Sequence, residues 1–320
     1  MDLGAVTLSQ MRYAVAVADT QNFRSAAERV HVSQSGLSMQ IQKLEDLLET
    51  VLFDRSKKPV LVTPEGEAAI AQMRSILRET ERLGQIVAEQ GEPSGPHRLG
   101  VIPTLSASIV PLFLSEFIER YPRIQLTIEE LKTEDIIARL QADTLDAGIA
   151  STPLSVPGLE ETALGYEALF AYLPPKDPLL RKKSIAQGDL SERELWVMPE
   201  GHCFRSQVLA FCRSEQVEDG SRVRFESGSF ETLVRLVDGG LGATVLPALV
   251  VETIAPAKRK AQVRPLVAPT PVREIGLVTA RTDFRRRVNG ALADMIGHEL
   301  AAALGPLPRR HQILDPVPEA

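Results

Sequence analysis

Residues 26–55 read AAERVHVSQSGLSMQIQKLEDLLETVLFDR, and the spacing inside this stretch decides the architecture of the first part of the chain. From Ser33 onward, Leu37, Ile41, Leu44 and Leu48 recur at i, i+4, i+7 and i+11, so a helix here buries one apolar stripe. Ser33 suits its N-cap, because a serine hydroxyl accepts from a backbone N–H of the first turn. The opposite face shows Ser35, Ser38, Met39, Gln42 and Lys43 to solvent. Upstream, FRSAAERV (23–30) and LSQMRYAVAVADT (8–20) have helical spacing as well, and His31-Val32 makes a tight break. Two short helices about such a turn, the second polar near its N-terminal half, fit a DNA major groove. The groove-reading candidates are Ser33, Gln34, Ser35, Ser38, Gln42 and Lys43.

FDRSKKPVLVTPEG (53–66) follows, a basic turn between two short apolar strands, which reads as a wing with Arg55, Lys57 and Lys58 placed for phosphates. Residues 1–66 carry seven Lys/Arg against eight Asp/Glu, so any basic surface is local to the wing and to Arg24 and Arg29. A small helical domain with a merely solvated polar face accounts for the same pattern equally well.

Residues 65–90 continue as one long helix. Ala69, Met73, Ile76, Thr80, Leu83 and Val87 step by 4, 3, 4, 3, 4, a heptad seam that predicts a homodimer through residues 67–92. EQGEPSGP (89–96) reads as a linker. From Arg98 onward strands (RLGVIPT, RIQLTIEEL, LDAGIA, LWVMP, ATVLP) alternate with helices, which predicts an α/β sheet with ligand or reactive groups at the strand ends. The tail from Gly305, rich in Pro and charge, is expected to be disordered.

Composition is that of a globular protein, with 44% apolar and 24% charged residues, and the net charge of -6 argues against general polyanion binding. The N-terminus lacks a secretory pattern, and the apolar run ATVLPALVV falls far short of the roughly 18 residues of a membrane span. A cytoplasmic location without membrane attachment is expected. Two cysteines in such a compartment are not a disulfide framework. His31, His97, His202, His298 and His311 show no metal-binding spacing, there is no CxxC and no phosphate-cradling glycine loop, so neither metal nor cofactor is expected.

The two cysteines lie in GHCFRSQVLAFC (201–212). If Cys203 to Cys212 form one helix, the sulfurs are about 13–14 Å apart along the axis and roughly 180° apart around it. A disulfide tolerates at most about 7 Å between Cα atoms, so it requires unwinding of the segment. Phe204, Val208, Phe211 and Cys212 share a stripe, which makes reduced Cys212 a buried hydrophobe. Cys203 opens the helix after Pro199-Glu200-Gly201, where a helix N-terminus lowers a thiol pKa, with His202 and Arg205 beside it. Two small core cysteines are the plain alternative.

AAERVHVSQSGLSMQIQKLEDLLETVLFDR with the wing and TPEG, together with VDGGLGATVLPAL (237–249), resembles the LysR-type transcriptional regulators over nearly the whole chain to about residue 303. GVIPT (100–104), His-Cys-x8-Cys and PVREIGLV (271–278) are most similar to its hydrogen-peroxide sensors, the OxyR group. The resemblance implies an α/β fold class: an N-terminal winged helix-turn-helix (1–66), a linker and dimerisation helix (67–92), and a periplasmic-binding-protein-like module (97–303). Within that module, subdomain I holds 97–166 and 269–303 and subdomain II holds 167–268, with the tail at 304–320.

The same resemblance implies promoter DNA and hydrogen peroxide as partners, a homotetramer, RNA polymerase as a further partner, and control of oxidative-stress genes rather than an enzymatic role. Cys203 is the implied peroxidatic and Cys212 the implied resolving cysteine, forming a reversible disulfide, supported by Thr104, Thr133, His202, Arg205 and Arg273. Thr104 serves equally as a helix cap and Arg273 as a surface ion pair. Two departures stand out: Glu49 where most members have Gly, and Ser206 where the peroxide sensors often carry an acid. A regulator sensing a small organic effector between the subdomains is the alternative, and a thiol peroxidase is a remoter one.

Overall fold

The computed structural model describes residues 3–88, 93–191, 194–212, 229–280 and 286–316. The chain forms two compact units, Met1–Gly91 and Glu92–Ala320.

In the first unit a 3-10 turn (Leu3–Ala5) leads into α1 (Leu8–Thr20), α2 (Phe23–Arg29), α3 (Gln34–Leu48), the hairpin β1 (Phe53–Asp54) and β2 (Leu61–Val62), and the long α4 (Pro64–Ala88). Each of the first three helices starts on a side-chain cap: Thr7 with a reciprocal Gln10 bond, Asn22, and Ser33 as its hydroxyl accepts from Gly36 N. The tight turn between α2 and α3 takes His31 into the left-handed region (φ 57). Leu37, Ile41 and Leu44 are fully buried with Ala14, Val17, Ala26 and Leu52. Leu48, the last residue of the expected stripe, is only half-buried, and Glu45 turns inward instead. Ile70 and Met73 of α4 pack into this core, so the first part of the heptad seam is used within the unit. The Leu83 side chain is exposed; that of Val87 and residues 89–92 lie outside the described residues.

Glu49 ends α3 in the conformation a glycine would take, φ 54 and ψ 34, with the N–H groups of Glu49 and Thr50 reaching back to Asp46 and Glu45 carbonyls. The departure from glycine therefore leaves the helix end unaltered, but a Cβ in this region costs about 1 kcal/mol. Glu49→Gly is expected to stabilise the protein by no more than about 0.6 kcal/mol, after allowing for the freer unfolded chain. A raised urea midpoint at unchanged slope checks it.

The second unit runs β3 (Gly95–Val101), α5 (Pro103–Arg120), β4 (Ile124–Glu130), α6 (Thr133–Gln141), β5 (Ala147–Thr152), the long β6 (Leu159–Tyr172), a 3-10 turn (Pro178–Arg181), α7 (Gln187–Ser191) and β7 (Leu195–Trp196). It continues through α8 (Cys203–Cys212), α9 (Phe230–Asp238), β8 (Ala243–Pro247), α10 (Ala248–Thr253), α11 (Pro256–Gln262), β9 (Val263–Pro265), β10 (Thr270–Ala280), α12 (Arg286–Leu304) and β11 (His311–Ile313). The sheet order is β4-β3-β5-β10-β6-β8-β7, with β9 also on β6 and β11 on β10. β3, β4 and β5 are parallel; β10 runs antiparallel to β5 and β6.

One strand serves both halves of this unit. β6 pairs with β10 over Leu159–Ala168 and with β8 over Leu169–Tyr172, so the boundary expected at 166/167 falls inside a continuous strand. Two cores flank it: Leu99, Leu105, Ile109, Phe113, Leu292 and Ile296 build one; Leu169, Leu173, Met198, Phe204, Val208 and Cys212 build the other.

The expectation of a disordered tail is corrected for residues up to 316. β11 pairs in parallel with Thr270–Val272, Leu314 N donates to Val272 O, and Leu314 is buried in the same core as Cys212. The reason is local: HQIL (311–314) pairs with a stretch of β10 that β5 no longer covers and buries Leu314, while Ile313 stays exposed. Residues 317–320 lie outside the described residues.

Candidate functional site

The polar face of α3 and the wing form one concave surface lined by Ser35, Ser38, Met39, Gln42, Lys43, Asp46 and Arg55. Gln34, Lys57 and Lys58 are exposed. Met39, 68% exposed on this polar face, offers an apolar contact of the kind a thymine methyl accepts. Ser33 and Arg55, both exposed, also serve the fold: the Ser33 hydroxyl caps α3 by accepting from Gly36 N, and Arg55 is tethered on the same concave surface. The Arg55 guanidinium donates to Glu45 Oε2 (2.8 Å) and Ser38 Oγ (3.2 Å) and lies 5.0 Å from the Phe23 ring centroid. Glu45, buried, also accepts from the backbone N–H of Leu52 (2.8 Å) and Phe53 (3.2 Å), which fixes the wing's first strand to α3. Sequence reasoning missed Glu45, because an acid on a helix ordinarily reads as solvent-facing.

In the second unit, both thiols are free and stand at opposite ends of α8. The nine-residue separation along a wound helix places them about 13–14 Å apart along the axis, as the spacing predicts. They also belong to different cores. Cys212 is buried among Leu169, Leu173 and Val208, whereas Cys203, partly exposed, packs against the cluster of Leu99 and Leu105. Burial pushes the Cys212 thiol up to about 12, so in this state it is a neutral hydrophobe and not a nucleophile.

Arg273 organises the surroundings from below. It is fully buried: its Nε donates to Glu167 Oε2 (2.6 Å), Nη1 to Thr104 Oγ1 (3.4 Å) and Nη2 to the Thr104 carbonyl (3.3 Å). Its Cζ lies 5.3 Å from the centroid of Phe204, the neighbour of Cys203. Glu167 spends its other oxygen on Leu249 N (2.6 Å), at the start of α10. Arg273 is therefore no surface ion pair; it joins the start of α5, β6, α10 and the ring of Phe204, next in sequence to Cys203.

The turn before Cys203 is shaped from the other side. Gly201 has φ +83, and a Cβ there would sit 2.9 Å from Lys132 Nζ. Lys132 directly precedes Thr133, the first residue of α6, while Thr104 lies in the first turn of α5, whose N-cap is Ile102. His202 is half-buried; burial first, then the Lys132 ammonium, holds its imidazole below the usual histidine range. The Arg205 guanidinium donates to the Met198 carbonyl (3.2 Å), bracing its own turn. Thr104 and Arg273 are thus in direct contact, and Lys132, the neighbour of Thr133, meets Gly201, the neighbour of His202. Glu167 and Lys132 were not singled out by the sequence. Glu167 could have been, since it alternates in phase with inward Leu169 and Ala171.

No described helix is long and apolar enough to cross a membrane, and no group of three or more His, Cys, Asp or Glu among the described residues is arranged to hold a metal.

Comparison with known proteins bears on both surfaces. Residues 8–67 match the bacterial regulatory helix-turn-helix protein model of the lysR family, and residues 90–301 match the LysR substrate binding domain. The chain is 32% identical over 302 residues to the DNA-binding transcriptional dual regulator OxyR of Escherichia coli, covering 92% of this chain and 97% of that protein. It is 35% identical to a probable hydrogen peroxide-inducible genes activator of Streptomyces viridosporus, with 93% of each covered. Among solved structures it resembles a full-length OxyR from Pseudomonas aeruginosa carrying a cysteine-to-aspartate substitution (TM-score 0.74, 32% identity, 96% of this chain and 99% of that chain). A hydrogen-peroxide-bound cysteine-to-serine OxyR from Corynebacterium glutamicum is also similar (TM-score 0.61, 27% identity, 96% and 98%).

Proposed function

The chain belongs to the LysR family of bacterial transcription regulators, and from that premise we propose that it senses hydrogen peroxide through a reversible Cys203–Cys212 disulfide. The observation that carries the proposal is the placement of the chain's two thiols at opposite ends of one wound helix, one seated in each core. A bond between them and an intact α8 exclude each other, so oxidation is transduced into refolding.

The chemistry balances with peroxide as oxidant. The Cys203 thiolate attacks one peroxide oxygen; an S–O bond forms, the O–O bond breaks, and the departing hydroxide takes a proton to become water. The Cys212 sulfur, once α8 unwinds, attacks the sulfenic sulfur; an S–S bond forms and the hydroxyl leaves as a second water. Two thiols are oxidised and one peroxide is reduced. In the first step Thr104, Thr133 and His202 are the donors for the leaving oxygen, with Arg273 holding Thr104 in place. Cys203 is the peroxidatic and Cys212 the resolving residue.

As a member of this family the protein is a DNA-binding regulator and not an enzyme. In the proposal α3 reads the major groove through Ser33, Gln34, Ser35, Ser38, Gln42 and Lys43, while Arg55, Lys57 and Lys58 take phosphates; each phosphate contact steepens the fall of affinity with salt. Leu83, an apolar seam residue left exposed on α4, supports a homodimer along that helix, assembled as pairs into a tetramer, with RNA polymerase as partner at oxidative-stress promoters in the cytoplasm.

The test is mass spectrometry of the reduced protein after stoichiometric peroxide, with free thiols alkylated before proteolysis. A Cys203–Cys212 linked peptide, reversed by dithiol, is expected. Two fully alkylated cysteines would end the proposal and favour an organic effector held between the subdomains.

A further inference from the structure

We propose that Lys132 is an electrostatic positioning residue for the Cys203 thiolate, held against the turn that starts α8 and effective only while that helix is wound. The inference deepens the peroxide reading by naming what favours the reactive form of the first thiol.

The contact is built by shape. Gly201 has φ +83, a conformation that disfavours any Cβ, and the position its Cβ would occupy is 2.9 Å from Lys132 Nζ, 3.3 Å from Cε and 3.4 Å from Cδ. The end of the lysine side chain therefore lies flat over the glycine, two residues from Cys203. Its backbone is fixed at the N-cap of α6, where its carbonyl accepts from Ile136 N.

The charged groups near the turn come from three elements. Glu200, His202 and Arg205 belong to its own turn, Glu134 and Asp135 to the exposed first turn of α6, and Arg273 with Glu167 lies beneath Phe204. Arg273 is matched by Glu167, and Arg205 leans on the Met198 carbonyl. Burial, and then Lys132 itself, hold the His202 imidazole below its usual range, which disfavours its charged form. Lys132 remains as the cation that faces the turn from another element. The side chain is exposed, so salt weakens its effect.

The test uses the full-length reduced protein in a Cys212→Ser background and follows alkylation of Cys203 by iodoacetamide across pH, comparing Lys132→Gln and Lys132→Arg. Lys132→Gln is expected to slow alkylation at neutral pH by about three- to ten-fold at low salt, with a smaller effect at high salt. Lys132→Arg is expected to retain the parent profile. An unchanged profile in Lys132→Gln, or an equal loss in both variants, overturns the proposal. Because iodoacetamide replaces peroxide, the two readings fail separately. A linked peptide in the parent with no lysine effect defeats only the role of Lys132; a lysine effect with no linked peptide defeats only the peroxide reading.

Discussion

Cys203→Ser is expected to bind operator DNA like the reduced parent and to lose its transcriptional response to peroxide completely. The thiol is at the edge of a core and contributes little packing that serine lacks, so the fold is retained. Serine forms no sulfenic acid, and Cys212 cannot replace it: burial holds its thiol up at about 12, far above neutral pH. DNA footprints before and after peroxide check this; any oxidation-dependent change of footprint in Cys203→Ser would refute the assignment.

Cys212→Ser differs in kind. It is expected to trap the sulfenic acid at Cys203, detectable by a dimedone adduct, and to place a hydroxyl in an apolar core at a cost of about 1–3 kcal/mol. The raised Cys212 value also sets a pH dependence. A thiol kept protonated by folding contributes stability below its unfolded value of about 9, and that contribution is lost as pH rises from there toward 12. Alkaline solution therefore favours the unwound segment, and the parent's melting temperature is expected to fall more steeply above pH 9 than that of Cys212→Ser.

The parts of this mechanism that were legible in the sequence are those with a local period. The Leu37-Ile41-Leu44 stripe, the Ser33 cap and the nine-residue cysteine spacing each dictate geometry within a few turns of one helix, and the structure places them as expected. What was not legible joins residues far apart in the chain. Glu45 and Arg55 read as solvent charges until the wing folds back on α3, and Arg273 meets Thr104 from 169 positions away. Lys132 reaches Gly201 because of a positive φ that composition does not reveal. The tail misled for a related reason. Its Pro and charge suggested disorder, whereas its order depends on a free edge of β10 and on Gln207, whose amide donates to Leu314 O (2.8 Å) from the middle of α8.

The Arg273–Glu167 pair carries the largest expected cost to stability. Both side chains are 0% exposed, and the 2.6 Å bond between them lies where no water replaces a lost partner. Arg273→Met leaves the Glu167 carboxylate buried without its counter-charge and is expected to destabilise the protein by about 3–5 kcal/mol. Glu167→Gln strands the guanidinium in the same way and weakens the acceptor of Leu249 N at the start of α10. The double variant Arg273→Met/Glu167→Gln removes both charges while keeping a carbonyl for Leu249, so denaturant melts should show it clearly more stable than Arg273→Met.

Folding and chemistry then come apart in that double variant. Thr104 no longer has a donor fixing its hydroxyl and carbonyl, and Phe204, next in sequence to Cys203, loses the cation against its ring, so this packing is intact in volume but not in position. Peroxide oxidation of Cys203 is expected to slow by about ten-fold or more in this folded protein, in line with the loss of one oriented polar contact at a reacting centre. Stopped-flow oxidation compared with iodoacetamide alkylation separates the causes. A deficit with peroxide alone assigns Arg273 to orienting the donors for the leaving oxygen, while an equal deficit with both reagents would place its effect on the thiol itself.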